Sequence, residues 1–264
     1  MLLTRVTEHV RTQNWLAVAI DFVIVVVGVL FALVAEQWFR DQQLRKELTQ
    51  IEVALNASLL QNLFNMREVV AMAPCRKERT EALSLLLQSD SDPWRGLPWT
   101  ANQGIFETGL PEVLPTPYRM WGSHVWNAEQ SGEAIGLMDA DRRRALDTIF
   151  TGTNLIRLKQ DEIFEAMSKL KVLAIARDIS ASDRTRYLER LHYHELQSGL
   201  LERVARQTLE QIEVIGYSAD DTYIDEFQTY METYADNRIE RYGNCFVPFE
   251  LPFLSAEPPG RPAT

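Results

Sequence analysis

The chain has 264 residues, 46% of them hydrophobic and 24% charged, an ordinary globular composition that excludes a disordered or collagen-like polymer. Its 27 Lys and Arg face 37 Asp and Glu, a net charge of −10; no nucleic-acid partner is expected, because neutralising phosphates takes clustered cations. Two cysteines are too few for a disulfide scaffold or a four-thiolate zinc site.

Residues 1–14, with Arg5 and Arg11, read as a short tail before the segment that sets the class. From Leu16 to Ala35 there is one charge, Asp21, and fourteen residues are Leu, Ile, Val or Phe. That length crosses a hydrocarbon core. The fourteen contribute about −4 to −8 kcal/mol to insertion, whereas one Asp costs about +3 at the centre and less near an end. Trp15 and Trp38 bracket the run, about 35 Å apart as a helix, the spacing of an aromatic belt. Residues 15–38 are therefore expected to span a membrane. A cleaved signal would need a small-x-small site, and Leu33-Val34-Ala35 places a bulky residue there. Arg5 and Arg11 before the span are balanced by Arg40, Arg45 and Lys46 after it, so charge alone does not orient it. A short tail is simplest to leave in the cytoplasm while a long following domain is carried across, which puts the main domain outside.

At 100° per residue, Ala17, Asp21, Gly28, Ala32 and Ala35 fall on one stripe about 60° wide. Gly28 and Ala32 form a small-xxx-small pair that admits a second backbone, and an intramembrane carboxyl usually faces protein. The stripe is expected to dock on another transmembrane helix, in a homo-oligomer or a larger membrane complex; the alternative is that Asp21 only snorkels to the interface. Elsewhere the helix presents Val, Ile, Leu and Phe to membrane lipid.

The run Ala19-Ile20-Asp21-Phe22-Val23-Ile24-Val25-Val26-Val27-Gly28-Val29-Leu30-Phe31-Ala32-Leu33, followed by Gln37-Trp38, resembles the amino-terminal segment of a family of uncharacterised bacterial single-pass membrane proteins. Ser131-Gly132-Glu133-Ala134-Ile135-Gly136-Leu137-Met138-Asp139, leading into Arg144-Ala145-Leu146, is similar to a second segment of the same group. Asp21 stands where that family often has Glu. The resemblance implies a bitopic bacterial membrane protein and brings no known activity; joined to the orientation argued above, the expected location is the inner membrane with the main domain periplasmic.

Beyond Trp38 the helical period continues through Leu44, Leu48, Ile51, Leu55, Leu59, Leu63, Met66 and Val70, predicting a stalk over 39–74 that Pro74 ends. Residues 76–88 read as a short helix, and 89–117, rich in Pro and Trp, as an irregular loop. Further helices are expected from Tyr118 to Gln130, from Asp139 or Asp141 onward, from a cap at Ser182, and from Ala219 to Tyr242 with Gly243 as its stop. The seam of the helix starting near Asp139 or Asp141 runs through Leu146, Ile149, Thr153, Ile156, Gln160, Ile163, Met167, Leu170 and Ala174. That of the helix capped at Ser182 runs through Tyr187, Leu191, His194, Ser198, Leu201, Ala205, Thr208, Ile212 and Ile215, and the last helix turns Tyr223, Phe227, Tyr230 and Tyr234 inward. No strand alternation appears. The expected class is all-α: one transmembrane helix continuing into the stalk, then an antiparallel bundle over 75–247 and a loose tail over 248–264.

Cys75 and Cys245 each fall at a predicted helix end; in an oxidising compartment they would pair and close a long loop. Glu189 and His192 make one E-x-x-H, but a di-iron bundle needs a second pair and further carboxylates, so neither metal nor other cofactor is expected. Trp94, Trp99, Trp121 and Trp126, with Phe106 and Tyr118 among them, would stack on a sugar or peptide ligand, pin the loop to the bundle, or meet headgroups. Glu107, Glu112, Glu129 and Glu133 lie nearby, without a spacing that defines glycosidase carboxylates. The basic run Arg142-Arg143-Arg144 suits a solvated first turn or pairing with Asp139 and Asp141. No Gly-rich phosphate loop or nucleophile elbow occurs. These features point to a non-enzymatic interaction or scaffold module of the envelope; the alternatives are an accessory subunit of a membrane complex and a ligand sensor acting through a partner.

Overall fold

A computed structural model describes residues 15–89, 93–96, 113–115, 117–217 and 221–251. Helix α1 runs Trp15–Gln88, α2 His124–Glu129, α3 Ala140–Leu170, α4 Ala181–Ile215 and α5 Asp221–Tyr242, with 3-10 turns at Ile135–Leu137, Lys171–Ala174 and Gly243–Cys245. Among the described residues there is no strand, only one isolated bridge between Trp94 and Arg177. The fold is all-α. Trp99, Phe106, Glu107 and Glu112, and the side chains of Ala17 and Tyr223, lie outside the described residues.

The chain divides into two units, Met1–Gln50 and Ile51–Thr264. In the first, every residue from Val18 to Val34 is exposed, and the stretch is long and apolar enough to cross a membrane. Trp38 and Phe39 are exposed at its end, edge to face with centroids 5.0 Å apart.

In the second unit the stalk expected over 39–74 is helical but does not stand apart from the bundle. Ile51, Leu55, Leu59, Leu63 and Met66 are buried, so from Ile51 onward α1 is a core helix of the bundle. A repeat of apolar residues every three or four positions says that one face is covered, not by what. Pro74 does not end the helix either; α1 continues to Gln88 with the proline inside. A mid-helix proline removes one N–H and crowds the preceding turn, and this turn is braced from outside. The Val247 amide donates to the Ala71 carbonyl at 3.2 Å, and the next residue, Cys75, is bonded to Cys245.

Helix α3 starts where Asp139 Oδ1 accepts from the amides of Asp141 and Arg142 at 2.9 and 3.0 Å, an N-cap that satisfies donors left open at a helix start. Its predicted seam is buried from Leu146 to Leu170, with Ala166 taking the place of Met167. The cap of α4 is Ser180, not Ser182: Ser180 Oγ accepts from the Asp183 amide at 3.1 Å. Helices α3 and α4 run antiparallel, since Glu162 meets Tyr193 and Gly152 lies against Thr208. That approach is close enough that a Cβ at Gly152 would sit 2.5 Å from Thr208 Oγ1.

Two more corrections concern chain that is fixed without being helical. Helix α2 is six residues rather than the thirteen expected, because 117–123 is held out of helix by side chains of α1 and α3. The tail is not loose from 248: Phe249 packs against Phe64 and Tyr234 and Leu251 is buried at 1% exposure.

Candidate functional site

Polar side chains on the inward face of α1 hold the 117–123 strap through its backbone. Asn62 Nδ2 donates to the Gly122 carbonyl at 2.7 Å while its Oδ1 accepts from the Gly122 amide at 2.9 Å. Asn65 donates to the Met120 carbonyl at 2.8 Å. From the other side Gln160 of α3 accepts from the Arg119 amide and donates to its carbonyl, at 2.9 and 3.0 Å. A buried carboxamide that closes such a ring with a peptide satisfies all four groups at once.

Glu68, with no exposed surface, lies one turn further along α1 and is the hub of the unit. Its carboxylate accepts from Arg119 Nε and, at 2.6 Å, from Arg119 Nη2, from Arg238 Nη2 at 2.8 Å, and from the Tyr234 hydroxyl. Burial raises the Tyr234 pKa and the adjoining carboxylate raises it further. Burial opposes the Arg238 cation, but Glu68 and Tyr234 outweigh it and its pKa stands above the ordinary value. The cluster joins α1, the strap and α5, with Phe64 packed edge to face on Phe227, Tyr230 and Tyr234 beside it.

Two turns on, Arg76 bonds Glu195 and Glu202 of α4 at 3.2 Å each, and Thr80 donates to Glu195 at 3.2 Å. Burial opposes ionisation of Glu202, yet hydrogen bonds from Arg206 and Arg76 prevail and lower its pKa. His194, fully buried, is pushed down to about 4 by burial and by the Arg76 charge.

Cys75 and Cys245 pair as expected, with Sγ atoms 2.02 Å and Cα atoms 4.8 Å apart. The tryptophans do not gather into a stacking surface. Trp94, Trp121 and Trp126 are each buried, and their indole N–H groups donate to the Leu173 carbonyl, Gln160 Oε1 and Asp147 Oδ1. Those acceptors are thirteen residues apart in sequence, roughly 20 Å per step along a helix, so the three indoles pin the chain at three separate levels. Of the three readings set out for this cluster, these three indoles follow the one in which they pin the chain to the bundle. Among the described residues no group of three or more His, Cys, Asp or Glu is arranged to hold a metal ion. Of the basic run, Arg144 pairs with Asp141 at 2.7 Å and Arg142 reaches Glu52 at 3.7 Å.

On the apolar segment Asp21, Gly28 and Ala32 are exposed and Ala35 is half-exposed. A Cβ built at Gly28 meets nothing within 4 Å, so the stripe is open to a neighbouring backbone. Sequence reasoning found the disulfide but missed the Glu68 cluster, whose partners stand 51 and 170 residues away in no motif.

No protein-family model, no curated protein and no solved structure matches the chain.

Proposed function

We propose that the chain is a membrane-anchored helical interaction or scaffold module of the bacterial envelope. On this reading residues 15–38 span the inner membrane, the amino terminus is cytoplasmic and the Ile51–Thr264 unit is periplasmic. The observation that carries it is the run Val18–Val34, apolar but for Asp21 and exposed at every position. A surface of that kind is stable in lipid or against another helix, not in water. The Cys75–Cys245 pair supports the side chosen, because disulfides persist in oxidising compartments such as the periplasm. The bacterial setting rests on the family resemblance. Asp21, on one stripe with Gly28 and Ala32, favours a second reading, an accessory subunit whose partner helix covers that stripe.

Alkaline extraction of membranes and purification in mild detergent test both readings. The proposal expects the full chain in the membrane pellet, associated with itself or with a stoichiometric partner, and expects Gly28→Ile and Asp21→Leu to break that association. A second polypeptide lost in these variants selects the subunit reading. Recovery of the full chain in the aqueous fraction without detergent overturns the anchor, and association untouched by both substitutions overturns the stripe.

A further inference from the structure

A cavity of about 30 Å³ lies within the bundle unit between Val69, Met72 and Arg76 of α1, Gln160 of α3 and Ser198 of α4. Pro115 and Pro117 close another side. The volume is far below the roughly 300–1,000 Å³ of sites that take metabolites or drugs. It does exceed the ~10–15 Å³ that one water needs, provided two to four polar groups converge there.

The polar lining meets that condition. Serine and threonine hydroxyls inside helices commonly bond the carbonyl one turn back, as Ser58, Thr153 and Thr208 do here at 3.1, 2.9 and 2.8 Å. Ser198 departs from its own helix pattern: its Oγ is buried and has no hydrogen-bond partner in the protein, although the residue is only 3% exposed. The proline ring nitrogens of the adjoining strap have no N–H to offer it. Arg76 commits Nε and Nη2 to Glu195 and Glu202, and a guanidinium carries five N–H groups. Gln160 commits one Nε2 hydrogen to the Arg119 carbonyl and has a second.

We infer that this cavity is a water-binding site, in which one or two internal waters link Ser198 Oγ of α4 to Arg76 of α1 and Gln160 of α3. An apolar cavity of the same size would stay dry; here a guanidinium, a carboxamide and a hydroxyl supply both donors and an acceptor. The bound water gives Ser198 the partner its helix withholds. It also fixes the end of the guanidinium that the two glutamates do not hold.

Radiolytic hydroxyl labelling of the full chain in detergent, with exchange into ¹⁸O water, tests the site, because water next to a side chain labels it whatever the distance to bulk. Met72 lines the cavity at 3% exposure, and Met120, at 85%, reports bulk solvent in the same sample. The expected result is oxidation of Met72 in the folded protein, with ¹⁸O entering it more slowly than Met120, and loss of Met72 labelling to background in Ser198→Val. Absence of Met72 labelling in the unaltered protein overturns the inference, as does ¹⁸O uptake at the Met120 rate. Because the unaltered chain gives the primary reading, a poorly folding variant does not protect the proposal.

Discussion

The bundle unit buries the carboxylate of Glu68 completely, and Arg119, Arg238 and Tyr234 meet it there. Removing one partner from a buried ionic cluster leaves the others desolvated without compensation, at a cost of about 3–5 kcal/mol. Glu68→Gln should therefore lower stability by that amount, read from the denaturant midpoint, whereas Arg144→Ala, which breaks an exposed pair with Asp141, should leave it within about 0.5 kcal/mol. His194 contributes one part of the pH dependence. Its pKa falls from 6.5 to about 4 on folding, so the unfolded chain takes up a proton that the folded one refuses. The contribution is complete above about pH 6.5 and is lost as pH falls through about 4, some 3 kcal/mol in all. Denaturant titrations across that window should show a flatter slope for His194→Gln than for the unaltered protein. Neither role was legible in the sequence. His194 lies in the predicted seam, which turns it inward without showing what surrounds it, and Glu68 belongs to no motif, because burial of a polar residue depends on partners that periodicity does not reveal.

At the scale of elements, what could be read was local. The α3 and α4 seams, the Asp139 start and the Gly243 stop all follow from spacing and capping chemistry within a few residues. Gly243, at φ +71°, takes a conformation that side chains with a Cβ avoid. What failed was each place where a distant segment overrides a local rule: Pro74 braced by Val247 and the disulfide, and the strap kept from helix by Asn62, Asn65 and Gln160. The contact of α3 with α4 at Gly152 is a further case, since a glycine inside a helix costs about 0.5–1 kcal/mol relative to alanine and appears unhelpful until Thr208 is seen against it. Gly152→Ala would gain that propensity but force its Cβ onto Thr208, an overpacking cost of about 1–3 kcal/mol, and a net loss is expected. In a double-mutant cycle with Thr208→Ala, the pair should be less destabilised than the sum of the two single changes. Additive effects would mean that the helices do not meet there.

At the scale of the molecule, the apolar segment was legible because twenty residues of one character need no tertiary information, whereas its orientation was not, because the flanking charges balance. The orientation in the proposed function turns on which compartment the bundle unit occupies, and its chemistry provides a clean reporter. Both native cysteines are tied up in the Cys75–Cys245 bond, so one introduced thiol is the sole site for a maleimide. Val214, at 80% exposure on α4, accepts the change without touching the core, and a surface substitution of this kind shifts stability by no more than about 0.5 kcal/mol. With Val214→Cys in intact spheroplasts, a membrane-impermeant maleimide should label the protein without lysis, and pre-treatment with a permeant maleimide should abolish the signal. Labelling that appears only after the membrane is opened would place the bundle in the cytoplasm. There a reducing thiol pool works against the disulfide, and the Val247–Ala71 contact with the Glu68 cluster would be left to hold α5 to α1 without it.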